Sequence, residues 1–174
     1  TSLAVAVDKA APQGLGATMT FTATPTGGQG PYQYRWAVWN GSVWTTGAWS
    51  SANTYAWTPV TANSGYKVEG RVRGSWNTGA PEAVRSTDFP VYPKITSLNI
   101  AANRTAPQSA GTTITFTATP TGGVGPYQYR FAVWNGSAWT TTAWSTSATY
   151  AWTPATPNAN YKVEARARSN WNAG

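Results

Sequence analysis

The stretch PYQYRWAVWNGS, residues 31–42, decides the fold. Tyr32, Tyr34, Trp36 and Val38 alternate with Gln33, Arg35, Ala37 and Trp39, the period of two by which a strand sends side chains to opposite faces. Asn40-Gly41 follows at once. Asn-Gly between alternating runs is the strongest short hairpin signal, because a type I′ turn needs positive φ at both central residues. A returning strand is expected over residues 43–49, with Trp39 opposite Ser42 and Ala37 opposite Trp44.

Outward from this hairpin the signals stay β. Leu3, Val5 and Val7 alternate with small residues. Met19, Phe21 and Ala23 alternate with threonines, which suit extended backbone and give that strand one greasy face and one hydroxyl face. Pro25, Gly27, Gly28, Gly30 and Pro31 make a long turn. Tyr55 and Trp57 form a short strand closed by Pro59. Tyr66, Val68, Gly70 and Val72 alternate with Lys67, Glu69, Arg71 and Arg73, and residues 82–92 supply a last strand. No segment sustains a 3.6-residue apolar period. About seven short strands separated by turn signals is the pattern of a two-sheet sandwich. Alternation places Trp36 and Trp57 in the core, nearly fully buried, and leaves Trp39 and Trp44 partly exposed.

The whole pattern is then written again, 95 positions later. TFTATPTGG at residues 20–28 returns at 115–123, PYQYR at 31–35 returns at 126–130, and TYAWTP at 54–59 returns at 149–154. So long a period is a tandem domain array rather than a short-period solenoid. The expected architecture is all-β: two tandem β-sandwiches over residues 1–95 and 96–174, the second lacking its last strand. Residues 80–95 have no counterpart in the second copy, as expected for a stretch of a longer protein. The connection Phe89-Pro90-Val91-Tyr92-Pro93 is short, and its two prolines favour a stiff, extended link and a rod-like array.

The sandwich has a family resemblance, carried by particular residues. Tyr66-Lys-Val68-Glu-Gly70-Arg-Val72 and Tyr161-Lys-Val163-Glu-Ala165-Arg-Ala167 resemble strand F of fibronectin type III and related immunoglobulin-like domains. Pro-Tyr-x-Tyr-x-Trp before the hairpin resembles strand C. The same tyrosines also resemble the triple-tyrosine module beside bacterial sensor proteins, and repeats of large bacterial secreted proteins. The resemblance implies that both sandwiches are immunoglobulin-like, fibronectin III-like, and that Trp36 and Phe131 are core aromatics. It also implies that Tyr66 and Tyr161 form a tyrosine corner bonded to nearby backbone, and that the protein is secreted or displayed on a cell surface. The cysteine pair of antibody domains is missing.

Composition narrows the chemistry. The 174 residues hold no cysteine and no histidine, and charged residues are only 10% of the chain. That removes the usual proton shuttle, thiolate nucleophile and soft metal ligands. The acids are Asp8, Glu69, Glu82, Asp88 and Glu164, so the second copy has one and cannot build a carboxylate pair for glycoside hydrolysis. No enzyme activity, cofactor or metal is expected.

Binding is more open. With Tyr34 and Trp36 inside, Gln33, Arg35, Trp39 and Trp44 share an outer face with Arg71 and Arg73 of the adjoining strand. Gln128, Arg130, Trp134, Trp139, Arg166 and Arg168 repeat that face in the second copy. Arg35 is expected on Trp44 or Trp39, and Arg130 on Trp139 or Trp134, since few acids are at hand to pair them. Three uses fit guanidinium groups beside indoles: a self-contained cation–π ladder, stacking against glycans, or packing against neighbouring repeats or other chains of the same protein. Nucleic acid is disfavoured because the twelve basic residues form no cluster. The reading is a non-catalytic spacer, presentation or assembly repeat, including the option of a filament subunit. The alternatives are a carbohydrate-binding module and an extracytoplasmic sensor domain.

Overall fold

The computed structural model describes residues 1–172, and its regular structure is strand save for one 3-10 turn at Asn170–Asn172. Two compact units divide the chain between Pro93 and Lys94. Repeat one comprises β1 (Ser2–Val7), β2 (Gln13–Gly14), β3 (Met19–Thr26), β4 (Tyr32–Trp39), β5 (Trp44–Thr46), β6 (Thr54–Trp57), β7 (Lys67–Gly74), β8 (Ala83–Asp88) and β9 (Val91–Tyr92). Repeat two comprises β10 (Ile95–Ala102), β11 (Ile114–Gly122), β12 (Tyr127–Trp134), β13 (Trp139–Thr141), β14 (Thr149–Trp152) and β15 (Lys162–Ser169).

In repeat one the sheet β1-β3-β6 faces the sheet β5-β4-β7-β8, and β2 and β9 make a small parallel pair. In repeat two the sheets are β10-β11-β14 and β13-β12-β15. Each repeat is an immunoglobulin-like, fibronectin III-like β-sandwich. The alternation explains the core. Met19, Phe21 and Ala23 of β3 meet Tyr34 and Trp36 of β4 and Val68 and Val72 of β7, and all are buried. Phe21 tilts against Trp36 at 6.3 Å, and Trp36 stacks on Tyr55 at 5.7 Å. Trp57 is half-buried rather than enclosed. It lies on β6, an edge strand with one flank open.

One pair records how the two copies diverged. Trp36 is directly opposite Gly70 in the β4–β7 ladder, and Phe131 is directly opposite Ala165 in the β12–β15 ladder. A Cβ on Gly70 would stand 3.1 Å from the Trp36 ring and 3.1 Å from Val5 Cγ2. The larger ring therefore goes with the residue that lacks a side chain, and the smaller ring with the methyl.

The hairpin departs from the expected type I′ turn. Trp39 is opposite Trp44, so the turn is centred on Gly41-Ser42, and only Gly41 has positive φ, at 98°. Those signs are those of a II′ turn. Asn40 stays outside the left-handed region because its Oδ1 accepts the backbone N–H groups of Ser42 at 2.9 Å and Val43 at 2.8 Å. The shift preserves which face Trp44 uses while changing its partner. The expected tyrosine corner also differs in detail. In repeat one the Tyr66 and Thr61 hydroxyls share a 2.7 Å hydrogen bond, whereas in repeat two the Tyr161 hydroxyl lies 3.3 Å from both the hydroxyl and the carbonyl oxygen of Thr156.

The expected last strand over residues 82–92 is two strands. β8 pairs with β7 as far as Asp88, and β9 then pairs with β2. Phe89 and Pro90 make the break, with Phe89 N–H donating to the Tyr66 carbonyl at 2.8 Å. Pro90 has no N–H to give to a ladder. Ahead of β8, Glu82 secures the loop over residues 75–82. Its carboxylate accepts the Gly74 N–H at 3.1 Å, Asn77 Nδ2 at 3.2 Å and the Thr1 hydroxyl at 3.1 Å. The Gly74 N–H first, and Asn77 next, hold its pKa below the usual carboxylate value. A depressed folded-state pKa stabilises above the unfolded value, and that stability is lost as pH falls through the folded one. Repeat one should therefore lose more stability between pH 7 and about pH 3 than its Glu82→Gln variant does. Equal losses in denaturant titrations at the two pH values would refute this role.

Candidate functional site

The outer face of β5-β4-β7 is where the polar side chains converge. Gln33, Arg35 and Trp39 project from β4, Trp44 from β5, and Lys67, Glu69, Arg71 and Arg73 from β7, with β4 and β7 in register from Tyr32 opposite Gly74 to Trp39 opposite Lys67. The arginines do not lie on the expected indoles. Arg35 and Arg73 both stand over Trp49, their guanidinium carbons 5.5 Å and 4.2 Å from its ring centroid. Trp39 and Trp44 instead tilt against each other at 5.5 Å.

A bulge explains the change of partner. Ala37 is opposite Thr46, but pairing resumes with Tyr34 opposite Ser50, so the strand around Gly47 and Ala48 carries one extra residue. Strict alternation from Trp44 would have turned Trp49 inward. The extra residue reverses it and sets Trp49 across from Arg35. Repeat two does the same: Ala132 is opposite Thr141, Tyr129 is opposite Ser145, and Arg168 stands over Trp144 at 4.4 Å.

Hydrogen bonds complete the face. Arg73 donates from Nε and Nη2 to Gln33 Oε1 at 3.1 and 3.0 Å, and from Nη1 to the Gly79 carbonyl at 3.0 Å. Arg168 Nε donates to Gln128 Oε1 at 3.0 Å. Arg71 Nε pairs with Glu69 Oε1 at 2.6 Å, and Arg166 Nε with Glu164 Oε1 at 2.5 Å. Arg130 takes a different partner from the one expected. Its Nε donates to the Thr142 carbonyl at 3.1 Å, the residue that replaces Gly47 at the bulge. Trp134 and Trp139 tilt together at 5.5 Å, as in repeat one. Beside Trp139, a hollow of about 170 Å³ is lined by Arg130, Thr141, Glu164 and Arg166.

The face thus unites Gln33, Arg35, Arg73 and Trp49 into one cluster, and it keeps Trp39 with Trp44 and Arg71 with Glu69 as separate pairs. Trp49 and Trp144 are the members that alternation alone could not find. Their signal was the Ala-Trp-Ser triplet kept at residues 48–50 and 143–145. Among the described residues, no three acidic, cysteine or histidine side chains gather into a metal site, and no helix is long and apolar enough to cross a membrane.

No family model and no curated protein matches the chain. Among solved structures, it is similar to the chicken CNTN1 FN1-FN3 domains at 11% identity and a TM-score of 0.40, over 90% of this chain and 59% of that one. The fold assignment rests on the strand order within each repeat.

Proposed function

We propose that the chain is a non-catalytic structural repeat of a secreted or surface-displayed protein, serving spacing, presentation or assembly. The observation that carries this reading is the state of Arg73. Its three donor nitrogens are taken by Gln33 and Gly79, and its flat face by Trp49. An arginine so engaged has little left for a ligand, and cation–π pairs on a surface contribute about 0.5–1 kcal/mol each to holding a sheet face together. The cluster supports a self-contained ladder, built on Trp49 and Trp144. The partners on this reading are neighbouring repeats or other chains of the same protein.

Glycan contact is the second reading, favoured by the hollow beside Trp139, a residue 45% exposed. Resemblance to the triple-tyrosine module is the basis of the third, an extracytoplasmic sensor, and no feature of the outer face adds to it. Titration with neutral and anionic oligosaccharides separates the first two. On the structural reading Trp49→Ala lowers the stability of repeat one by about 1–2 kcal/mol, the loss of two surface cation–π pairs, and no sugar saturates the chain. Saturable binding abolished by Trp139→Ala would replace that reading with the second.

A further inference from the structure

The tetrapeptide Trp-Asn-Gly-Ser occurs at residues 39–42 and again at 134–137, and these hold the only Asn-Gly pairs in the chain. Both pairs lie in exposed hairpin turns whose glycine has positive φ, 98° at Gly41 and 102° at Gly136. A glycine after asparagine leaves the backbone nitrogen open to the asparagine side chain, because no Cβ stands in the way.

The hydrogen bonds around Asn40 fall on two oxygens. Its side-chain Oδ1 accepts the Ser42 and Val43 N–H groups at 2.9 and 2.8 Å. Its main-chain carbonyl accepts Asn63 Nδ2 at 2.5 Å. Repeat two builds the same set. Asn135 Oδ1 accepts the Ser137 and Ala138 N–H groups at 2.9 and 2.8 Å, and its main-chain carbonyl accepts Asn158 Nδ2. Asn135 Oδ1 has one donor more, the Ser137 hydroxyl at 3.0 Å. Among the described residues, the Nδ2 groups of Asn40 and Asn135 and the N–H groups of Gly41 and Gly136 have no protein partner. The Gly41 nitrogen is itself a link in the ring that the Ser42 bond to Oδ1 closes.

We propose that both turns are sites of self-catalysed asparagine deamidation. Hydroxide takes the proton of the Gly41 N–H, and the charge spreads onto the Asn40 main-chain oxygen, where Asn63 Nδ2 stabilises it. The Gly41 nitrogen then bonds to Asn40 Cγ, and the charge moves to Oδ1, at which the Ser42 and Val43 N–H groups already point. Donors aimed in advance at the oxygen where charge develops are the arrangement of an oxyanion hole. Nucleophile and carbon are also held in one closed ring, which replaces a random search. Collapse breaks the Cγ–Nδ2 bond, and Nδ2 leaves as ammonia with a proton from water, which restores the hydroxide. A second water opens the five-membered ring at either carbonyl, giving aspartate or isoaspartate. Each event trades a neutral amide for a negative charge, and the isoaspartate route adds a carbon to the main chain of the turn. The site is separate from the arginine–tryptophan cluster and does not depend on what the outer face binds.

The test incubates the intact 174-residue chain at mildly alkaline pH, folded and in guanidinium chloride, and follows conversion at each asparagine by peptide mass mapping. The two tetrapeptides are identical, so their rates should be similar in the unfolded chain. In the folded chain both should convert faster than when unfolded, with Asn135 ahead of Asn40. Ser137→Ala should slow Asn135 by about three- to tenfold, less than the roughly hundredfold of an enclosed oxyanion donor because water reaches an exposed turn, and should leave Asn40 unchanged. Asn63→Asp keeps an acceptor for the Gly65 N–H but removes the donor, and should slow Asn40 while Asn135 keeps its rate. Conversion in the folded chain no faster than in the unfolded one, equal folded rates at Asn40 and Asn135, or an unchanged Asn135 rate in Ser137→Ala would each overturn the proposal.

Discussion

Truncating Trp36 to alanine is expected to lower the stability of repeat one by about 3–5 kcal/mol, the range for a buried aromatic replaced by a methyl. Trp36 is 7% exposed, stacks on Tyr55 and supports Phe21. Its removal leaves a void between the sheets that neither neighbour can fill without abandoning the other. Amide signals of repeat one followed by NMR through a urea titration give the number, and a loss under about 1 kcal/mol would mean that the indole is not a core residue. The pair with Gly70 makes the expectation sharper. Gly70→Ala alone forces a methyl against the indole and should cost about 1–3 kcal/mol. Combined with Trp36→Phe, it reproduces the pair that repeat two uses, and the double variant should be more stable than the sum of the single effects predicts, as for residues in direct contact.

Phe89→Ala is expected to cost repeat one a similar amount, about 3–5 kcal/mol. The ring is the plug between Phe21 and Trp57, and without it a void opens there. Pro90 and Val91 would remain, but Val91 is anchored by Asn63 and cannot slide into the space. Native-state hydrogen exchange should show β8 and β9 opening together at a lower free energy than β4. If their protection is unchanged, the segment is a passive linker and not part of the core of repeat one.

Much of the fold is legible in the sequence alone. The period of two in residues 32–39 and 67–73 correctly set Trp36, Val68 and Val72 inside, since a half-buried strand must alternate. What escaped was wherever one residue is added to or moved within a ladder. The turn moved by one because the Asn40 side chain satisfies backbone donors, a local competition that the Asn-Gly pair does not reveal. The bulge at Gly47 turned Trp49 outward, and with it the partner of Arg35 and Arg73. Trp57 was over-buried because alternation assigns a face and not a place in the sheet, so an edge strand reads like a central one. The break at Phe89-Pro90 was hidden for a related reason: both halves are extended, and only their partners differ.

The matched pairs Trp36 with Gly70 and Phe131 with Ala165 bear on a hazard peculiar to neighbouring repeats of similar sequence, in which a strand joins the wrong copy and the two become entangled. If β4 were to pair with β15, the Trp36 indole would be driven against the Ala165 methyl. If β12 were to pair with β7, Phe131 would face the bare backbone of Gly70 and leave a hole. Each mismatch penalises the exchanged state while leaving both native states intact, so the divergence acts as an identity tag that keeps each copy's strands at home. The Trp36→Phe/Gly70→Ala variant erases the tag by giving both copies the same pair. Its recovery of native NMR signals after rapid dilution from denaturant should fall below that of the parent chain, and an undiminished recovery would show that the copies are kept apart by something else.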